Sequence, residues 1–138
     1  MSNVLARKRR LSELEFYKTG TEIRAEFTRY LMNDKKVPKR WKPIFTFTGV
    51  GYVTKLMEEI VAANTIYPTT ESEVADRRRH QTNAITQCEQ LRQHIAWMIE
   101  TLELSAKDFE NLGGMILLEI KLLKAWRKAN KIMVSKEQ

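Results

Sequence analysis

Two histidines, one cysteine and scattered carboxylates are the residues of this chain whose types suit catalysis or metal binding. His80 and His94 fall on one long helical stretch, too far apart to share a metal ion. His94 stands between Gln93 and Ile95 with no carboxylate at ligand spacing, and it reads as a surface or boundary histidine. The sequence contains no His-Glu-x-x-His pair, phosphate-cradling glycine loop or nucleophile elbow. Glu58 and Glu59 are adjacent, so on a helix they point in different directions. The inward-facing Glu-x-x-His motifs of a di-metal bundle are missing. Cys88 alone supports neither an internal disulfide nor a cysteine zinc cage, and its place on an apolar helix face reads as a small buried residue. An enzyme is therefore the least supported class, and no metal or cofactor is expected.

The cations say more. Lys and Arg number 24 against 17 Asp and Glu, a formal net charge of +7 with a sequence pI near 9.6. Such a balance favours an anionic partner: nucleic acid, an acidic protein or a membrane surface. Arg77, Arg78 and Arg79 run against the preference for acids at a helix start, an effect that Glu71, Glu73 and Asp76 partly offset. A solvated turn and a phosphate or acidic-protein contact are both open there. Arg127, Lys128 and Lys131 also suit a helix C-terminus on dipole grounds alone. Arg7, Lys8, Arg9 and Arg10 read as an arm that orders on a partner. Lys39 and Arg40 fall in a joint between helices. Trp126 beside Arg127, and Trp41 between Arg40 and Lys42, put aromatic rings next to cations, which suits base stacking or a protein anchor.

These side chains must be positioned by helices. The spacing predicts a first helix from Leu11 to Asn33, with Phe16, Gly20, Ile23, Phe27 and Leu31 on one face. The joint after it holds Pro38 and Pro43, which cannot sit inside a regular helix. A second helix begins near Pro43 and ends before Pro68. Its opening, IFTFTGVGYV, alternates like a strand, but it runs unbroken into a 3.6-residue pattern and is read as helix. A third spans Thr70 to Leu102, roughly 45 Å at 1.5 Å per residue, with Val74, Gln81, Ala84, Cys88, Leu91, Ile95 and Met98 as its seam. Ser105 three before Asp108 approximates a capping pattern. The fourth runs from Phe109 to Lys131. The expectation is one all-α domain over residues 1–138, an up-down-up-down four-helix bundle with a basic arm (1–10) and a lysine-rich tail (128–138). No apolar run is long enough to span a bilayer and no signal-peptide pattern opens the chain, so a cytoplasmic protein without a membrane partner is expected.

The fourth helix carries two apolar stripes. Phe109, Leu112, Gly113, Ile116, Ile120 and Leu123 form one; Met115, Leu118, Leu122 and Trp126 form another. The second stripe predicts a subunit interface, since an exposed stripe of that size on a monomer promotes aggregation. Gly113-Gly114 reads as a close-packing point.

Pro38-Lys39-Arg40 after the first helix, Leu56, Ile60 and Ala63-Asn64 on the second, and the LLKAWRKANK close together resemble a known superfamily. It is that of the four-helix-bundle proteins encoded by 23S rRNA intervening sequences, and the likeness covers approximately Leu14 to Lys131. Those rRNA-linked proteins carry an arginine-led Ser-Ile-Pro-x-Asn-Ile-Ala-Glu-Gly-like stretch on the second helix. Here the region reads VTKLMEEIVAANTIY, which is more similar to the accessory variability determinant branch of diversity-generating retroelements. That resemblance implies a basic homopentameric ring that binds a reverse transcriptase and its template RNA and supports mutagenic cDNA synthesis without catalysing it. The alternatives are a bundle of the rRNA branch, or a general RNA-binding bundle, with no polymerase partner.

Overall fold

The computed structural model describes residue 11 and residues 13–133. Four α-helices carry these residues: α1 (Glu15–Met32), α2 (Lys42–Thr65), α3 (Glu71–Leu102) and α4 (Glu110–Lys128). Short 3₁₀ turns at Lys39–Trp41 and Ala106–Phe109 lead into α2 and α4. No strand occurs among the described residues. The IFTFTGVGYV segment is helical throughout, with Pro43 in its first turn, where a missing N–H costs nothing.

Local chemistry sets the ends. Thr70 caps α3: its hydroxyl accepts from the Glu73 amide at 3.2 Å, while the Glu73 carboxylate accepts from the Thr69 amide at 3.1 Å. At the far end Glu103 turns left-handed, with φ 53°, and Leu104 donates back to the Ile99 carbonyl at 3.2 Å, which stops the helix. Ser105 accepts from the Lys107 amide at 3.3 Å and opens the second 3₁₀ turn.

Each helix packs on two others: α1 on α2 and α4, and α3 on α2 and α4. Phe27, Ile23, Leu31, Phe45, Leu56, Ile60, Leu91, Met98, Ile116 and Leu123 fill the space between them. Two glycines mark the tightest approaches. A Cβ on Gly49 would lie 2.7 Å from Leu31 Cδ1 and 3.1 Å from Phe27 Cε2, so α2 meets α1 through that gap. One on Gly20 would lie 2.7 Å from Met57 Sδ and 2.8 Å from Glu119 Oε2, where α1, α2 and α4 converge.

The second stripe of α4 is explained by this arrangement. Met115, Leu122 and Trp126 are partly buried and pack against the core. Trp126 stacks on Phe16 of α1, with ring centroids 4.1 Å apart and planes 18° from parallel. A corner helix needs a wide apolar surface because it faces two neighbours, so part of this stripe lies against the chain's own core. Leu118 is the exception at 41% exposed, next to Leu117 at 54%. Gly113 and Gly114 also depart from expectation, since a Cβ at either would meet nothing within 4 Å. They are not points of close packing within the chain.

Candidate nucleic-acid interface

The start of α3 and the end of α4 are pinned together by polar contacts. Asn130 Nδ2 donates to the Val74 carbonyl at 2.9 Å, and Arg127 Nη1 donates to Thr82 Oγ1 at 3.2 Å. Arg78 is exposed one helical turn before Thr82, on the same side of α3 as the residue that Arg127 grips. Lys128 and Lys131 come after Arg127 and are exposed. Arg79 is exposed too, with Asp76 3.7 Å away. Among the described residues, Arg78, Lys128 and Lys131 have no carboxylate within ion-pair distance.

Arg77 does not join this surface. It is 8% exposed, and its guanidinium lies 5.3 Å from the centroid of the Trp126 ring. The cation and the tryptophan read as ligand contacts thus hold one another, with Phe16 against the indole. A signal for this was available: Arg77 lies three after Val74 and four before Gln81, on the seam of α3. Arg7, Lys8, Arg9 and Arg10 lie outside the described residues.

Lys39 and Arg40 are exposed in the 3₁₀ turn before α2, at the other end of α3 from Arg78. The start of α2 meets the last turns of α3 there, with Phe45 and Trp97 ring centroids 4.6 Å apart. The helix between the two basic clusters has 32 residues, roughly 48 Å, so they form separate surfaces. Not every cation near Lys39 is available. Lys42 donates to the carbonyls of Leu31 and Val37 at 3.1 and 3.0 Å and pairs with Asp34 at 3.2 Å. Lys36 pairs with Asp108 at 2.9 Å, and Tyr30 donates to the same carboxylate oxygen at 2.9 Å.

The histidines have separate structural partners. His80 Nδ1 lies 2.6 Å from Glu59 Oε2, whose other oxygen is 3.2 Å from Lys55. Burial works to raise the Glu59 carboxyl, but its bonds to His80 and Lys55 outweigh that and hold it below the ordinary range. His94 is buried instead of lying at the boundary, and its Nε2–H donates to the Phe45 carbonyl at 2.8 Å. Burial holds this imidazole below its ordinary value, although the carbonyl bond acts in the opposite direction. Burial likewise pushes the Cys88 thiol well up, with a smaller contribution from the charge at Glu119. Among the described residues, no group of three or more His, Cys, Asp or Glu side chains could hold a metal ion.

Glu119 escaped the sequence reading. It lies three after Ile116 and four before Leu123, on the core stripe of α4, and is fully buried. Neither carboxylate oxygen has a hydrogen-bond partner among the described residues. Burial raises its pKa from 4.5 to about 9, so the group is a neutral acid at pH 7. Compared with protein families, with curated proteins and with solved structures, the chain gives no match in any of the three. None of the helices among the described residues is long and apolar enough to cross a membrane.

Proposed function

We propose that this chain is a noncatalytic accessory protein of a diversity-generating retroelement, of the accessory variability determinant type. In this reading it is a cytoplasmic up-down-up-down bundle that assembles into a homopentameric ring. It binds the reverse transcriptase and the template RNA and holds them together during mutagenic cDNA synthesis. The observation that carries the RNA half is the seam of exposed cations, Arg78, Lys128 and Lys131, gathered around the half-buried Arg127 that ties the end of α4 to α3. Cations without acidic partners on a rigid surface attract phosphates by counterion release and read no base. The polymerase half rests on the sequence resemblance.

Two measurements test the two halves. RNA binding should weaken steeply with added salt, and Arg78→Gln with Arg79→Gln should lower affinity while the melting curve stays in place. Arg77 is left intact because it packs on Trp126. No binding at low salt, or binding indifferent to salt, would overturn the RNA half. Co-purification with a reverse transcriptase encoded beside this gene is expected; absence of such a gene would reduce the protein to a general RNA-binding bundle.

A further inference from the structure

A groove of about 450 Å³ opens at the end of the bundle away from Arg78. Two stretches line it: Lys35, Lys36, Pro38, Arg40 and Trp41 before α2, and Thr101 to Ser105 across the end of α3. Lys35 and Arg40 are exposed here, Lys39 is exposed beside them in the same 3₁₀ turn, and none of the three has a carboxylate within ion-pair distance among the described residues. Trp41 is half-buried, with the Phe45 ring centroid 5.8 Å away in the core and the Arg40 guanidinium 5.8 Å from its own centroid. The opposing segment has a different character. It ends α3, whose carbonyls after Ile99 have no helical N–H to accept from, and it carries the exposed Glu103.

Cations and an aromatic ring on one side, with acceptors on the other, fit a ligand that has both an anionic backbone and hydrogen-bond donors. A ribonucleotide has both: phosphates on one hand, and on the other a flat base and a ribose whose N–H and O–H groups donate. An acidic peptide would bring carboxylates against Glu103 and the helix C-terminus, where negative charge is unfavourable. We propose that this groove is a subsite for single-stranded nucleic acid, in which a base lies on Trp41 and the adjoining phosphates meet Lys35, Lys39 and Arg40. The proposal rests on the reading of the protein as an RNA binder and gives it a second contact region, one that engages bases as well as phosphates.

The test is fluorescence anisotropy with a short labelled oligouridylate and an abasic ribose-phosphate oligomer of equal length. Trp41→Leu keeps an apolar contact for Phe45 but removes the stacking face. It should weaken the oligouridylate about 5- to 150-fold and leave the abasic oligomer unchanged. Lys35→Gln, Lys39→Gln and Arg40→Gln together should weaken both oligomers and flatten the log-affinity against log-salt slope by about 0.7 per phosphate contact removed. These three side chains are exposed, so the triple variant provides the test if Trp41→Leu melts early. An unchanged slope in the triple variant, equal loss of both oligomers in Trp41→Leu, or tighter binding of polyglutamate than of RNA overturns the proposal. Wild-type protein that binds RNA while Trp41→Leu is neutral removes only this subsite. Wild-type protein that binds no RNA at low salt removes the RNA reading itself.

Discussion

Replacing Glu119 by Gln should stabilise this protein, by an amount that depends on pH. In the folded chain the carboxyl ionises near pH 9; in the unfolded chain it ionises near 4.5. Below pH 4.5 both states hold the proton and the group is neutral toward folding. Between 4.5 and 9 the unfolded state releases a proton that the folded state keeps, so stability falls as pH rises, by about 1.4 kcal/mol per unit. At pH 7 the cost is roughly 3 kcal/mol, and near pH 9 about 6 kcal/mol. Glutamine has nearly the same shape and cannot ionise. Its amide still lacks partners beside Gly20 and Met57, a penalty of about 1–3 kcal/mol that does not vary with pH. The assay is urea unfolding of both proteins at pH 5, 7 and 8.5. Other titrating groups, including His94, whose contribution is lost as pH falls below 6.5, are common to both and cancel in the difference. That difference should grow in favour of Glu119→Gln across the series. A difference that stays constant would show that the carboxyl is ionised in the fold and held by a partner.

Two helix glycines should respond oppositely to alanine. Gly49→Ala drives a methyl against Leu31 and Phe27 and should cost about 1–3 kcal/mol, whereas Gly51→Ala enters open space and should add up to about 1 kcal/mol in thermal unfolding. On α4, Leu122→Glu should lower stability by about 2–4 kcal/mol, because Leu122 packs against the core. Leu118→Glu should leave helix content intact and reduce particle mass in light scattering; an unchanged mass would remove Leu118 from any subunit contact.

All four helices were legible because a 3.6-residue apolar repeat survives local ambiguity. The strand-like IFTFTGVGYV opening is helical since Phe45, Gly49, Val53 and Leu56 continue one buried face. The close packing expected at Gly113 and Gly114 falls at Gly49 instead, because which side of a helix faces solvent is set by its neighbours and not by the glycine itself. The polar residues were where the reading failed. Arg77, His94 and Glu119 all sit at seam positions, and residue type suggested surface where position dictated interior. Each took a different route inward: a ring for the guanidinium, a backbone carbonyl for the imidazole, a retained proton for the carboxyl. The second stripe of α4 was visible as a stripe, but a sequence does not say whether a neighbouring helix belongs to the same chain.

The contact between α1 and α4 has a kinetic side. Phe16 and Trp126 lie almost the whole described chain apart, whereas α2 and α3 adjoin through a short connection. Closing a long loop is slow compared with zipping a local hairpin, so the α1–α4 contact is expected to form after the pairings of helices adjacent in sequence. During synthesis from the N-terminus the same order is imposed by emergence. Until α4 meets α1, Gly20 faces Met57 of α2 without Glu119 beside it. That contact buries a carboxyl that keeps its proton in the fold at neutral pH, so forming it takes up a proton. A rise in pH therefore opposes the joining of the two ends of the chain.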